Sequence, residues 1–123
     1  MKLFLRILAV IYAVAAILHI ASILGLGPTP FADAPLSWQI SDVAYGVIDT
    51  IAAIGLWRQK WWGIAAFFTA AISEILLFTL VPDWFVIEPE QLPMLRGFVV
   101  YHIVAIAFYF LLRKSESRRT TSD

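Results

Sequence analysis

Four long apolar runs, each interrupted by only a few polar residues, organise the chain. They cover about 3–24, 39–57, 61–81 and 97–112, and each approaches the ~20 residues that an α-helix needs to cross a bilayer. In the first run only Arg6, Tyr12, His19 and Ser22 break the apolar sequence. Between the second and third lies nothing but Arg58-Gln59-Lys60, which predicts a tight antiparallel hairpin. The connections at 25–38 and 82–96 are longer and hold all six prolines: Pro28, Pro30, Pro35, Pro82, Pro89 and Pro93. Proline interrupts the helical hydrogen-bond ladder, so proline-free runs predict four unbroken helices. The predicted fold class is all-α: an integral membrane four-helix antiparallel bundle in a single domain, 1–114, followed by a polar tail, 115–123, expected to be disordered.

Lysine and arginine placement predicts an orientation. Lys2, Arg6, Arg58, Lys60, Arg113, Lys114, Arg118 and Arg119 fall on one side, and Arg96 alone on the other. Both termini and the short hairpin are therefore expected in the cytoplasm, with the proline-containing loops outside. Trp57, Trp61 and Trp62 then mark one interface, and Trp38, Trp84 and Phe85 the other. The start of the chain also resembles a signal peptide, with Ala13-Val14-Ala15 as a cleavage site. Cleavage there would leave an odd number of spans and spoil the charge asymmetry, so a retained first helix is expected.

Composition narrows the class further. With 61% hydrophobic residues in 123 and a mean hydropathy of +0.83, the chain is too apolar for an ordinary soluble domain. It has no cysteine, which excludes disulfides, thiolate metal sites, iron–sulfur clusters and a thiol nucleophile. No glycine-rich phosphate loop or Gly-x-Ser-x-Gly elbow is present. The basic stretch from Arg113 to Arg119 directly follows an apolar run, so contact with membrane lipids is expected and nucleic acid is not.

The candidate chemistry lies inside the runs. His19, Asp42, Asp49, Glu74 and His102 are ionisable, and such residues are costly within a bilayer unless paired, protonated or hydrated. A rise of ~1.5 Å per residue puts all of them in the outward half of the predicted bundle. Asp42, Tyr45 and Asp49 share a helix face; His102 and Tyr109 share another, and Tyr12 and His19 a third. His19, Asp42, Tyr45, Asp49, Glu74 and His102 are therefore candidates for ligand binding or proton handling, with Trp38 and Tyr109 as candidate pocket walls. His19, His102, Glu74 and Asp49 also make a nitrogen-and-oxygen set suited to a divalent metal, without any local His-x-x-x-His spacing to support it. A haem held between His19 and His102 is a further option. The sequence specifies no cofactor and no catalytic residue.

Three stretches carry a family resemblance. Arg6-Ile-Leu-Ala-Val, with Ala16-Ile-Leu-His19, is similar to the arginine-led opening helix of the DoxX-like group of small bacterial membrane proteins. Tyr45-Gly46 and Ile54-Gly55-Leu56-Trp57-Arg58 resemble its glycine-bearing second helix, and Trp62-Gly63-Ile-Ala-Ala the start of its third. The resemblance implies a four-helix bundle in the inner (plasma) membrane and an association with quinone-linked or stress-related redox complexes. Tyr101-His102 matches no pattern of that group, and thiol chemistry cannot be carried over to a chain without cysteine.

The expected function is binding of a small hydrophobic or quinone-like ligand by the polar cluster, or action with a membrane protein partner in a redox or stress complex. Two alternatives stand beside it. One is an intramembrane acid–base enzyme, such as a lipid isomerase. The other is an accessory subunit whose polar groups only specify helix packing.

Overall fold

A computed structural model of the chain describes residues 1–121 and contains four α-helices: α1 (Lys2–Ile23), α2 (Leu36–Trp57), α3 (Trp61–Leu80) and α4 (Leu92–Thr120). No strand occurs among the described residues. All four helices are long and apolar enough to cross a membrane, as the lengths of the apolar runs predict. Single 3₁₀ turns at Phe31–Asp33, Pro82–Trp84 and Pro89–Gln91 order the two longer connections.

The helices run alternately up and down. Arg6 near the start of α1 lies over the Trp57 ring at the end of α2, 5.3 Å from its centroid. At the other end of the same pair, His19 meets Asp42. Tyr45 bonds Ser73 between α2 and α3, and Phe78 faces Phe98 between α3 and α4. Two ends result: a hairpin end, with residues 58–60 and the chain terminus, and a long-loop end.

Two helices begin earlier than the apolar runs suggest, and prolines are the reason. Pro35 forms the N-cap of α2, while Pro93 sits in the first turn of α4, where its missing N–H has no helical partner to lose. The Gln91 carboxamide also accepts from Ile87 N and Glu88 N at 2.8 and 3.1 Å, ordering the entry to α4.

The far end of α4 departs from expectation. The helix continues through Ser115 to Thr120, across most of the segment read as a disordered polar tail. That stretch contains neither glycine nor proline to stop a helix, and Arg118 and Arg119 in its last turn complement the helix dipole. Glu116 also lies 3.2 Å from the amino group of Met1. The remainder of the tail, 122–123, falls outside the described residues.

Packing differs between the two ends. At the hairpin end, Leu5, Leu8, Ala9, Leu56, Phe67 and Tyr109 form a dry core. Tyr12 packs edge-on against Phe67 at 5.9 Å, and Tyr109 stands edge-on to Phe68 at 5.1 Å. Small buried residues (Ala16, Ala52, Ala70, Ala71 and Ala105) let the helices approach closely. Backbones pack tightly from α1 to α2, α2 to α3 and α3 to α4, whereas α1 and α4 approach only sparsely. Ile17, Val47, Leu76 and Val104, among many large apolar side chains, are exposed around the bundle. Lipid can cover such a surface and water cannot.

The 58–60 hairpin is closed by a backbone device. Lys60 N bonds Gly55 O and Gln59 N bonds Leu56 O, the pairing that ends a helix when the next residue turns left-handed. Gln59 takes that conformation at φ 56°, which strains any side chain with a Cβ. Gln59→Gly is expected to raise stability by up to about 1 kcal/mol, read as an upward shift in thermal melting of the detergent-solubilised protein. An unchanged melting temperature would mean that the turn is not strained.

Candidate functional site

The polar residues fall into two carboxylate–imidazole assemblies at the long-loop end. In the first, His19 Nδ1 lies 2.9 Å from Asp42 Oδ1, and the Ser22 hydroxyl donates to Asp42 Oδ2 at 2.6 Å. A carboxylate only accepts, so this contact calls for a proton on Nδ1. The opposite ring nitrogen, Nε2, lies 3.6 Å from Asp49 Oδ2. The two ends of this chain differ in exposure: the side chains of Asp42 and His19 are 18% and 26% exposed, and that of Asp49 only 2%. A single imidazole thus links a partly accessible carboxylate to a buried one.

Tyr45 holds that imidazole in place. Its ring stacks against His19 at 6.1 Å, and its hydroxyl meets Ser73 Oγ at 2.7 Å. Ser73 in turn donates to Ala70 O. Gly46 lies directly beside the His19 Cβ, at ordinary contact distance for an added methyl group. Helix α2 therefore supports His19 with one face and presents Asp49 from a position a turn further on.

In the second assembly His102 Nε2 is bonded to Glu74 Oε2, joining α4 to α3. With Nε2 engaged by the carboxylate, the other nitrogen of His102, Nδ1, is buried and has no hydrogen-bond partner among the described residues. Tyr12 Oη, Asp49 Oδ1 and Tyr101 Oη are buried and unpartnered in the same way. Such atoms cost roughly 1–3 kcal/mol each when left without a partner, and they are unusual enough in folded proteins to demand an explanation.

All four of these atoms belong to residues lining one cavity of about 580 Å³. From α1 the wall takes Ile11, Tyr12, Ala15, Leu18 and His19; α2 supplies Asp49; α3 supplies Glu74 and Phe78. The α4 wall is Met94, Gly97, Phe98, Tyr101 and His102. The cavity lies between α1 and α4, the pair of neighbouring helices whose backbones approach least. Leu18, Met94 and Phe98 are exposed, so its apolar rim reaches the outer face of the bundle. Its inner end meets Tyr12, which rests on Phe67 of the dry core.

The cavity gathers His19, Asp49, Glu74 and His102 as the sequence pattern suggests, with Asp42 and Tyr45 behind His19 rather than on the wall. Trp38 and Tyr109 do not line it and stand corrected as wall candidates. Tyr109 is buried among Phe67, Phe68 and Phe110 in the core, and Trp38 lies in the first turn of α2, away from the cavity lining. Tyr12 and Tyr101 take the places those residues were expected to fill. Tyr12 shares a face with His19 and was legible to that extent; Tyr101 carries no sequence signal beyond its place beside His102. The proposed metal set is divided, His19 facing Asp42 and Asp49 while His102 holds Glu74. Among the described residues, no three His, Asp or Glu side chains gather as a group able to hold a metal ion.

Residues 1–120 match a protein family described as "Family of unknown function (DUF6163)". No curated protein and no solved structure matches the chain.

Proposed function

The chain belongs to the DUF6163 family, and from its own geometry we propose that it is a multi-pass inner-membrane protein that binds a small amphipathic, lipid-like or quinone-like molecule. The ligand enters sideways from the bilayer between α1 and α4. Its polar head reaches the buried groups, and its apolar part lies along Leu18, Met94 and Phe98. Lysine and arginine placement supports cytoplasmic termini, which sets the cavity in the outer leaflet half.

One observation carries this reading: four buried polar atoms without partners among the described residues belong to side chains that line a single, largely apolar cavity. A wall of that kind, mostly apolar with a few convergent polar groups, is the usual form of a small-molecule site. A bundle polar only for the sake of packing would satisfy these atoms between helices. Here Asp49 and His102 each keep one buried atom unpaired, as do Tyr12 and Tyr101 beside them on the cavity wall.

The test is mass spectrometry of the lipid extract from protein purified in mild detergent. The wild type is expected to retain a near-stoichiometric amphiphile. Tyr12→Phe and Asp49→Asn are expected to lose most of it while remaining folded, with circular dichroism and gel filtration as the check. An extract identical to the surrounding lipid in wild type and variants would contradict a binding function.

A second reading rests on the Asp42–His19–Asp49 chain. With Nδ1–H donating to Asp42, the imidazole can accept a proton from Asp49 at Nε2 and release its own to Asp42. A proton is thereby carried from the buried carboxylate to the more exposed one, which suits acid–base chemistry on a bound lipid. That reading requires the same cavity and differs in one outcome: the bound molecule would turn over, and Asp49→Asn would stop turnover.

A further inference from the structure

The hydrogen-bonding character of the cavity specifies the head group it receives; this inference rests on the proposed binding function and narrows it. We infer that the ligand carries an uncharged hydroxyl head, as in a hydroquinone or a long-chain alcohol, and that anionic and acceptor-only heads are rejected.

The unpartnered atoms define the chemistry. Asp49 Oδ1 is a carboxylate oxygen and accepts. His102 holds Glu74 through Nε2, so its free Nδ1 is a bare acceptor in the neutral imidazole. Tyr12 and Tyr101 hydroxyls can each donate and accept. The cavity wall thus combines two residues with unpaired acceptors and two with groups of dual character. A ketone or quinone head, which only accepts, would leave Asp49 Oδ1 and His102 Nδ1 unsatisfied. A hydroxyl donates to one of these acceptors and accepts from a tyrosine.

Charge argues in the same direction. The cavity wall contains Asp49 and Glu74 but neither lysine nor arginine. Each imidazole on that wall already faces a carboxylate, so no positive group is left to meet a phosphate or sulfonate. Burying an anion beside carboxylates costs several kcal/mol of like-charge repulsion and lost hydration. Ordinary anionic phospholipids are excluded on this ground, although they surround the mouth.

The experiment uses one tail with different heads. Protein in nanodiscs of zwitterionic phosphatidylcholine is equilibrated, under anaerobic conditions, with hexadecanol, hexadecylhydroquinone, heptadecan-2-one, hexadecanesulfonate or hexadecylamine. Native mass spectrometry then reads the bound fraction in the wild type, in Asp49→Leu and in Ala15→Trp, which fills the crevice. Hexadecanol or hexadecylhydroquinone should bind at least about tenfold more tightly than the ketone or the sulfonate, the equivalent of about 1.4 kcal/mol or more. The hydroxyl-over-ketone preference should shrink in Asp49→Leu, and Ala15→Trp should abolish all binding. Whichever hydroxyl compound binds better identifies the aromatic or the aliphatic source. Equal or tighter binding of the ketone or the sulfonate, or tightest binding of the amine, overturns the hydroxyl assignment and leaves the cavity as a binding site. Binding of every compound at equal strength, untouched by Ala15→Trp, overturns the binding function as well.

Discussion

His102→Leu is expected to destabilise the bundle by about 1.5–3 kcal/mol, the usual worth of a hydrogen bond to a buried charged group. His102 is 4% exposed, and its Nε2 is bonded to Glu74, which is itself largely buried. Without the imidazole, the Glu74 carboxylate keeps the desolvation penalty and loses its partner. Glu74 would then protonate, draw in water or push α3 and α4 apart. The double variant Glu74→Leu/His102→Leu removes both polar groups and should recover most of the lost stability, because a buried pair adds little beyond apolar packing of similar volume. Thermal melting of the wild type, the single variants Glu74→Leu and His102→Leu, and the double variant in the same detergent forms a complete cycle. A single variant as stable as the wild type would show that the Glu74–His102 contact does not hold α4 in place. The double variant should also retain less ligand than the wild type, since Glu74 and His102 both line the cavity.

The second large effect lies at the other end of the bundle. Gly55 on α2 and Gly63 on α3 face each other so closely that a Cβ on Gly63 would fall on backbone atoms of Gly55 and Leu56. Backbone atoms cannot step aside as a flexible side chain can. Gly63→Leu must therefore separate the two helices next to a three-residue connection, Arg58-Gln59-Lys60, that has no slack. Overpacking of this kind costs roughly 1–3 kcal/mol in a core that can adjust, and this one has a backbone contact to break as well. The expected result is failure to accumulate in the membrane or a sharply lowered melting temperature. Gly97→Leu is the matched control, because nothing stands near a Cβ at that position. Equal behaviour of the two variants would mean that α2 and α3 are not held together at the hairpin.

The helices were legible because the length and continuity of an apolar run report them directly. The hairpin was legible too, since Arg58-Gln59-Lys60 permits no other path. Helix starts were less so: Leu36 and Leu92 begin helices beside prolines that hydropathy alone reads as loop. The extension to Thr120 was hidden for the opposite reason, as a polar segment without breakers reads equally well as helix or coil. At the site, periodicity correctly placed Asp42, Tyr45 and Asp49 on one side of α2, yet it could not divide them. Tyr45 turns to Ser73 and Asp49 to the cavity, a difference set by the rotation of α2 against two neighbours. The opening between α1 and α4 has no sequence signature at all. It depends on the combined sizes of side chains from two helices far apart in the chain, and this is also why Tyr109 went to the core while Tyr101 reached the wall.

Photo-cross-linking of cells expressing the protein tests the lateral cavity most directly. Benzoylphenylalanine is placed at Phe98, on the rim of the cavity, or at Phe110, on the exposed face of the same helix. A discrete amphiphile, distinct from bulk phospholipid and lost when Asp49→Asn is added, should be captured at Phe98. At Phe110 the adducts should follow the bulk lipid composition. The same phospholipid mixture at both positions, insensitive to Asp49→Asn, would contradict a ligand site between α1 and α4.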